Sequence, residues 1–241
     1  MIYIVLPAYN EERTLLPLLE AIRENMDEAR LPYRVIVVND GSTDGTVRVV
    51  REAEGTMPIA LIEHPQNKGL AETLKTGLLS AVGYASPKDI IITMDADNTH
   101  TPGLIMTMTR MIREGHDVVI GSRYRKGSRV IGVSFLRRLL SFGASLIFRN
   151  LFPIKGVKDY TSGYRAYRAQ VIKDMFNAYG DAFISQPGFS AMVDVLLKIR
   201  KYPVIIGEAP LILRYDQKAG ESKMKVAKTI GETLRLILKR L

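Results

Sequence analysis

The sequence predicts an α/β fold: a mostly parallel central sheet with helices on both faces, followed by a C-terminal amphipathic helix. Three observations carry this. Short β-rich apolar runs alternate with helix-period patterns through residues 1–122. Polar residues cluster where three of those runs end. At 241 residues and 46% hydrophobic, the chain is long and apolar enough to bury a substantial core.

Taken in order, a strand at 2–6 precedes a helix at 12–29, a strand at 34–38 precedes a helix starting at 46, and a strand at 59–63 precedes a helix at 70–83. A strand at 90–94, a helix near 104–114 and a strand at 117–121 complete the alternating half. Alternation of this kind specifies parallel pairing with crossover helices, and ligands bind beyond the carboxyl ends of such strands. Those ends carry Pro7-Ala8-Tyr9-Asn10, Asn39-Asp40-Gly41-Ser42 and Asp95-Ala96-Asp97. After Arg123 the alternation stops. A basic, partly helical segment at 133–152 leads into the turn-rich Asp159-Tyr160-Thr161-Ser162-Gly163-Tyr164-Arg165. A helix at 190–201, strands at 204–208 and 211–215, and a basic amphipathic helix from Lys223 close the chain. No repeat, low-complexity run or linker divides it.

With no cysteine, disulfides, thiolate zinc sites and cysteine nucleophiles are excluded. The N-terminal run lacks a basic flank and meets Pro7 early, so it reads as a buried strand and not a signal peptide, and a cytoplasmic protein is expected. The most apolar window, 133–152, is broken by Arg137, Arg138, Arg149 and Asn150, short of the about 18 apolar residues a spanning helix requires. Net charge is +9 and unevenly placed: −6 over 1–122, +10 over 123–168, −2 over 169–197 and +7 over 198–241. Such asymmetry points to a polyanionic partner. Nucleic acid is disfavoured, because the acidic strand ends would repel its phosphates.

Asp95 and Asp97, two residues apart after a strand, can converge on a hard divalent cation that also binds phosphate oxygens. A turn or helix cap fits the same residues, with Thr99, Thr101 and Pro102 suited to a helix start. His100 reads either as a ligand or as a hydrogen-bonded structural histidine. Asp40 can accept hydrogen bonds from a nucleoside, while Asp44 or Thr46 caps the following helix; turn chemistry alone also explains the segment.

Pro7-Ala8-Tyr9-Asn10-Glu11, Asn39-Asp40-Gly41-Ser42-Thr43-Asp44-Gly45-Thr46, Asn67-Lys68-Gly69-Leu70 and Asp95-Ala96-Asp97 occur in the order found in family 2 glycosyltransferases, which the chain resembles. Gly121-Ser122-Arg123-Tyr124, Thr161 to Arg168 and Gly220-Glu221-Ser222-Lys223 extend the resemblance to the dolichol- or polyprenyl-phosphate mannose synthase branch, over nearly the whole chain. The resemblance implies a GT-A fold at 1–215, including a basic acceptor or interface segment at 123–168, with a basic loop and amphipathic helix at 216–241. It places Pro7, Tyr9, Glu11, Val38 and Asp40 around the nucleoside. Asp95, Ala96 and Asp97 would line the donor site, the two carboxylates holding Mg²⁺ or Mn²⁺. Arg123 would lie by the donor phosphates or sugar, and Arg137 would meet the acceptor phosphate. Arg214, Lys218 and Lys223 would close a basic loop over the pyrophosphate.

Two departures stand out. Thr99 occupies the place where some relatives carry a metal-binding glutamine, and Asp194 stands where a glutamate is expected. Processive synthases of the superfamily carry a Gln-x-x-Arg-Trp motif, whereas this chain has no tryptophan.

The resemblance implies hexose transfer, most simply mannose from GDP-mannose, to a polyprenyl phosphate, with inversion, at the cytoplasmic face of the membrane. UDP-glucose or UDP-GlcNAc donors, a non-lipid acceptor, and a non-catalytic nucleotide-sugar-binding or adaptor protein are the alternatives. Asp95, Asp97 and Arg123 argue against the last. The 133–152 segment mixes Phe135, Leu136, Leu139, Leu140, Phe142, Leu146, Ile147 and Phe148 with arginines; it fits either a helix in an anionic membrane interface or one with a buried apolar face.

Overall fold

The computed structural model describes residues 1–188 and 190–218, and for 136 and 137 the backbone alone. Lys223 and the expected C-terminal helix lie outside the described residues. Strands β1 (Ile2–Ala8), β2 (Tyr33–Asn39), β3 (Ile59–Glu63), β4 (Ile90–Thr93) and β5 (Val118–Ser122) alternate with helices α1 (Leu15–Glu28), α2 (Thr46–Glu54), α3 (Leu70–Tyr84) and α4 (Leu104–Arg113). Beyond them come β6 (Arg129–Ile131), α5 (Phe135–Leu151), β7 (Arg165–Arg168), α6 (Ala169–Tyr179), α7 (Ser190–Ile199), β8 (Ile206–Pro210) and β9 (Ile212–Arg214). Seven strands form one sheet in the order β3-β2-β1-β4-β7-β5-β8, and β6 pairs with β9 in a second.

Period-two alternation in β1 splits the core into two layers. Ile2, Ile4 and Leu6 face α1, α2 and α4, whereas Tyr3 and Val5 face α3 and the later helices. Helix α3 approaches β1 closely at Gly77, where an added Cβ would lie 2.4 Å from Val5 Cγ1 and 3.2 Å from Val38 Cγ2. Gly77→Ala should therefore destabilise the protein by about 1–3 kcal/mol despite alanine's better helix propensity, measurable by urea unfolding.

Register sets the site. Ala8 pairs with Asn39 and Val5 with Thr93, so the loops after β1, β2 and β4 leave the sheet side by side. The first two interlock: Asn10 N–H donates to Ser42 Oγ at 2.9 Å, Thr43 N–H to Asn10 Oδ1 at 2.8 Å, and Glu11 N–H to Thr46 Oγ1 at 2.8 Å.

Strand β7, antiparallel between β4 and β5, follows directly on the expected turn-rich stretch at 159–165 and is an element the sequence did not announce. Its sequence, Arg-Ala-Tyr-Arg, lacks an apolar run, yet Arg165 is fully buried. Its guanidinium donates to the carbonyls of Met192 and Tyr160, both at 2.8 Å, while Arg168 donates to Asp117 Oδ1 and the carbonyls of Ile112 and His116. The arginines act as internal hydrogen-bond donors, which a strand rule based on hydrophobicity does not register.

Helix α5 keeps Phe148 in the core but exposes Phe135, Leu139, Leu140, Phe142, Leu146, Ile147 and Leu151, at 41–79%. Burying the open parts of seven such side chains would contribute on the order of 7 kcal/mol, comparable to the stability of an average domain. The described residues leave this apolar face open. Among the described residues no helix is long and apolar enough to cross a membrane.

Candidate active site

The segment after β4 turns sharply because Asn98 adopts a left-handed φ of 59°, which asparagine tolerates. The turn brings Thr99 N–H and Oγ1–H onto Asp97 Oδ1, at 3.2 and 2.7 Å. Thr99, a candidate metal ligand, thus gives its hydroxyl proton to orienting Asp97, which leaves the lone pairs of Oγ1 for a cation. Asp95 N–H donates to His100 Nδ1 at 3.1 Å, so the imidazole proton sits on Nε2, 3.9 Å from Asp95 Oδ2. His100 also stacks on Tyr164, with centroids 4.8 Å apart, and takes the structural role of the two open to it. Ala96 is buried, its carbonyl accepting from Thr14 Oγ1 at 3.4 Å.

The late basic segment reaches this loop through main-chain bonds. Arg214 N–H donates to Thr99 O at 2.8 Å and Leu213 bridges His100, which delivers Lys218 Nζ onto Asp97 Oδ2. Gly132 permits the crossing, since with φ +79° its Cβ would fall 2.6 Å from Asp216 N. Burial works against the Asp97 carboxylate, but Lys218 and the Thr99 hydroxyl outweigh it and hold the carboxyl below its ordinary range. Asp95 is pushed upward, by burial first and then by the Asp97 and Glu11 carboxylates, with His100 and Lys218 opposing. Two carboxylates within each other's field, one of them drawing an ammonium group, offer the hard oxygen donors that suit Mg²⁺ or Mn²⁺. Among the described residues no three His, Cys, Asp or Glu side chains form a closed cage. Two carboxylates with the remaining positions open to substrate oxygens and water match the way Mg²⁺ is held beside phosphates.

Arg123 follows β5 and is clamped by Asp159: Nε donates to Oδ2 at 2.8 Å, an Nη to Oδ1 at 2.7 Å, and the backbone N–H to Oδ2 at 3.0 Å. The same Nη reaches Thr161 Oγ1 at 2.6 Å. Desolvation is outweighed by Asp159, and also by the field of nearby Asp95, so the guanidinium stays charged beside the carboxylate pair. Glu208 braces this clamp, its Oε1 accepting the N–H groups of Lys158 and Asp159 at 2.6 and 2.7 Å. Gly163 closes the side of the site, where a Cβ would stand 3.3 Å from Asp95 Oδ1.

The other expected donor residues divide. Pro7, near the end of β1, and Tyr9 and Glu11 in the loop after it are half-buried, Glu11 accepting from Thr14 Oγ1 at 2.7 Å. Val38 lies wholly in the core and brings no side-chain atom to the cleft. Asp40 is buried, accepting from His64 Nδ1 and Lys68 N–H on Oδ1 and from Gly69 N–H on Oδ2, at 2.8–2.9 Å. Burial opposes its ionisation, yet these donors hold its carboxyl below the usual range. It shapes the 64–69 loop and keeps little capacity for a nucleoside. Arg214 pairs with Asp216 at 2.8 Å, so of the basic loop only Lys218 is brought to the carboxylates among the described residues. The backbone of Arg137 belongs to the first turn of α5; its side chain and Lys223 lie outside the described atoms. Asp194 is buried, accepting from Lys198 Nζ and Ser185 Oγ at 2.5 and 2.9 Å.

Sequence reasoning missed Asp159, Glu208 and His64. A signal for Asp159 existed: it is the one acidic residue between 123 and 168.

The glycosyl transferase family 2 model matches residues 3–176. The chain belongs to this family. Among family 2 relatives, the chain is 34% identical over 237 residues to the dolichol-phosphate mannosyltransferase of Pyrococcus furiosus, an overlap of 97% of this chain and 62% of that protein. It thus spans less than two thirds of that relative's length. To the undecaprenyl-phosphate mannosyltransferase of Micrococcus luteus it is 30% identical over 226 residues, 91% of this chain and 86% of that one. The family 2 fold superimposes on glucosyl-3-phosphoglycerate synthase of Mycobacterium tuberculosis in complex with Mn²⁺, UDP and phosphoglyceric acid, with TM-score 0.68, 20% identity, and coverage of 98% of this chain and 76% of that one. The same enzyme with Mg²⁺ and UDP gives 0.67 and 19%. That likeness establishes the GT-A fold.

Proposed function

We propose that the chain transfers a hexose, mannose from GDP-mannose, to a polyprenyl phosphate, with inversion and with a divalent cation, as a peripheral protein at the cytoplasmic face of the membrane. One observation carries the catalytic part: Asp95 and Asp97 feel each other's charge on one loop, with Lys218 paired to Asp97 and the guanidinium of Arg123 within the field of Asp95. The names of the Pyrococcus and Micrococcus relatives support the donor sugar and the lipid acceptor.

Breaking the anomeric C–O bond leaves negative charge on the nucleoside diphosphate. Asp95 and Asp97 would hold a divalent cation, which would supply Lewis-acid stabilisation of that charge. Lys218, released from Asp97, is placed to neutralise the same diphosphate, and Arg123 is kept in position by Asp159. The position beside Gly163 and Asp95 is free of a Cβ and suits the sugar. A phosphate acceptor arrives already ionised near neutral pH, so it attacks without a strong general base. A single displacement inverts the anomeric centre.

The test incubates the protein with radiolabelled GDP- and UDP-sugars, Mg²⁺ or Mn²⁺ and a polyprenyl phosphate, followed by organic extraction. GDP-mannose should give a metal-dependent lipid product. Failure of every donor would refute the transferase reading, and a product from UDP-glucose alone would refute the donor.

A further inference from the structure

Two cavities of about 280 and 370 Å³ open side by side beyond the C-terminal end of α5, sharing Pro153 and Ile154. Arg125, Arg149 and Lys158 line the first; Lys155, Arg200 and Lys201 line the second; neither has an acidic residue in its wall. Among the described residues none of these six side chains pairs with a carboxylate. Arg200 rests over the Phe152 ring at 5.2 Å, but six cations gathered with no carboxylate partner among the described residues still repel one another, a cost that folding alone gives no reason to accept.

The loop between the cavities is built and not loose. Tyr160 O–H donates to Phe152 O at 2.8 Å and accepts from Ile154 N–H at 3.1 Å. Gly156 takes φ +83°, and Glu208 holds the backbone at Lys158. Apolar side chains stand open on both sides: Ile147 and Leu151 at the end of α5, exposed by 46% and 42%, and Ile205 by 60%, between Val204 and Ile206 of the second cavity. Cationic hollows flanked by unburied aliphatic groups match a ligand with a phosphate joined to hydrocarbon.

We propose that the paired cavity seats the phosphates of anionic phospholipid headgroups, apart from the donor site, and so fixes how the protein lies on the bilayer. The inference rests on the peripheral-membrane part of the function proposed above and deepens it. The loop runs directly into Asp159, so the headgroup seat and the Arg123 clamp share one stretch of backbone.

The full chain, its K155Q/K201Q and R125Q/K158Q variants and the four-residue combination would be sedimented with vesicles of phosphatidylcholine alone and of phosphatidylcholine with phosphatidylglycerol. Each pair should weaken partitioning onto the anionic vesicles by about tenfold or more, and the combination further. A four-residue variant that partitions like wild type would overturn the proposal. Hydrogen exchange on the wild-type protein needs no substitution: amides of 152–160 should slow on anionic vesicles and not on neutral ones, and no slowing would overturn it equally. Calorimetry with inorganic phosphate separates the sources, since saturable binding that also displaces the protein from vesicles would make this a free-phosphate site and refute the lipid assignment. Transfer to a short-chain polyprenyl phosphate in detergent is scored separately. Vesicle selectivity through these residues without any transfer refutes the function and supports the headgroup site; transfer without vesicle selectivity does the reverse.

Discussion

Asp97→Asn lowers kcat/KM for transfer by about a thousandfold or more while leaving the fold intact, since it removes charge where the leaving diphosphate must be neutralised. The substitution keeps the side-chain shape, and the amide oxygen can still accept from Thr99 N–H and Oγ1. The carboxylate's pairing with Lys218 disappears, as does half of the cation site. Initial rates across a Mn²⁺ titration, with circular dichroism as a control for folding, check this. Wild-type rates in the variant would mean that Asp95-Ala96-Asp97 is only a turn.

Asp159→Ala has the largest expected effect on stability. Breaking a buried pair from one side costs about 3–5 kcal/mol, and the lower end applies because Arg123 is 21% exposed and regains some hydration. The N–H groups of Arg123, Thr161 and Ser162 lose an acceptor as well. Burial opposes the charged form of Asp159, but Arg123 holds its carboxyl below the ordinary value. A depressed folded-state pKa means stability that is complete above the unfolded value, about 3.9, and is lost as pH falls through the lower folded one. The wild-type protein should therefore lose stability below about pH 4, and the alanine variant should lack that contribution. Urea unfolding at a series of pH values checks both. Activity should fall too, because a released guanidinium no longer stands beside Asp95.

The alternating half was legible because β1, β2, β4 and β5 are buried on both faces and α1, α2 and α4 carry a clear apolar stripe. Strand β7 was hidden by Arg165 and Arg168, whose burial depends on carbonyls supplied by Tyr160, Met192, Ile112 and His116. Strand β6, three residues long, is too short for a periodic signal, whereas its partner β9 falls inside the strand expected at 211–215, and the pair brings Lys218 to Asp97. Motif order pointed to the carboxylate pair and Arg123, and the structure sets Arg123 within the field of Asp95. It did not reveal that Asp40 is engaged by His64 and two backbone N–H groups, or that Arg214 turns to Asp216, because these depend on partners distant in sequence or on a local rotamer choice. For α5 the sequence left two burial states open, and the exposed Phe135 and Phe142 favour the interfacial one.

Equilibrium Mn²⁺ binding followed by electron paramagnetic resonance tests the central claim most directly. One Mn²⁺ per chain should bind, more tightly with GDP present, and Asp97→Asn should weaken that binding by about a hundredfold or more. Absence of bound Mn²⁺ in the presence of GDP, or equal affinity in the variant, would contradict the assignment of Asp95 and Asp97 as the cation site.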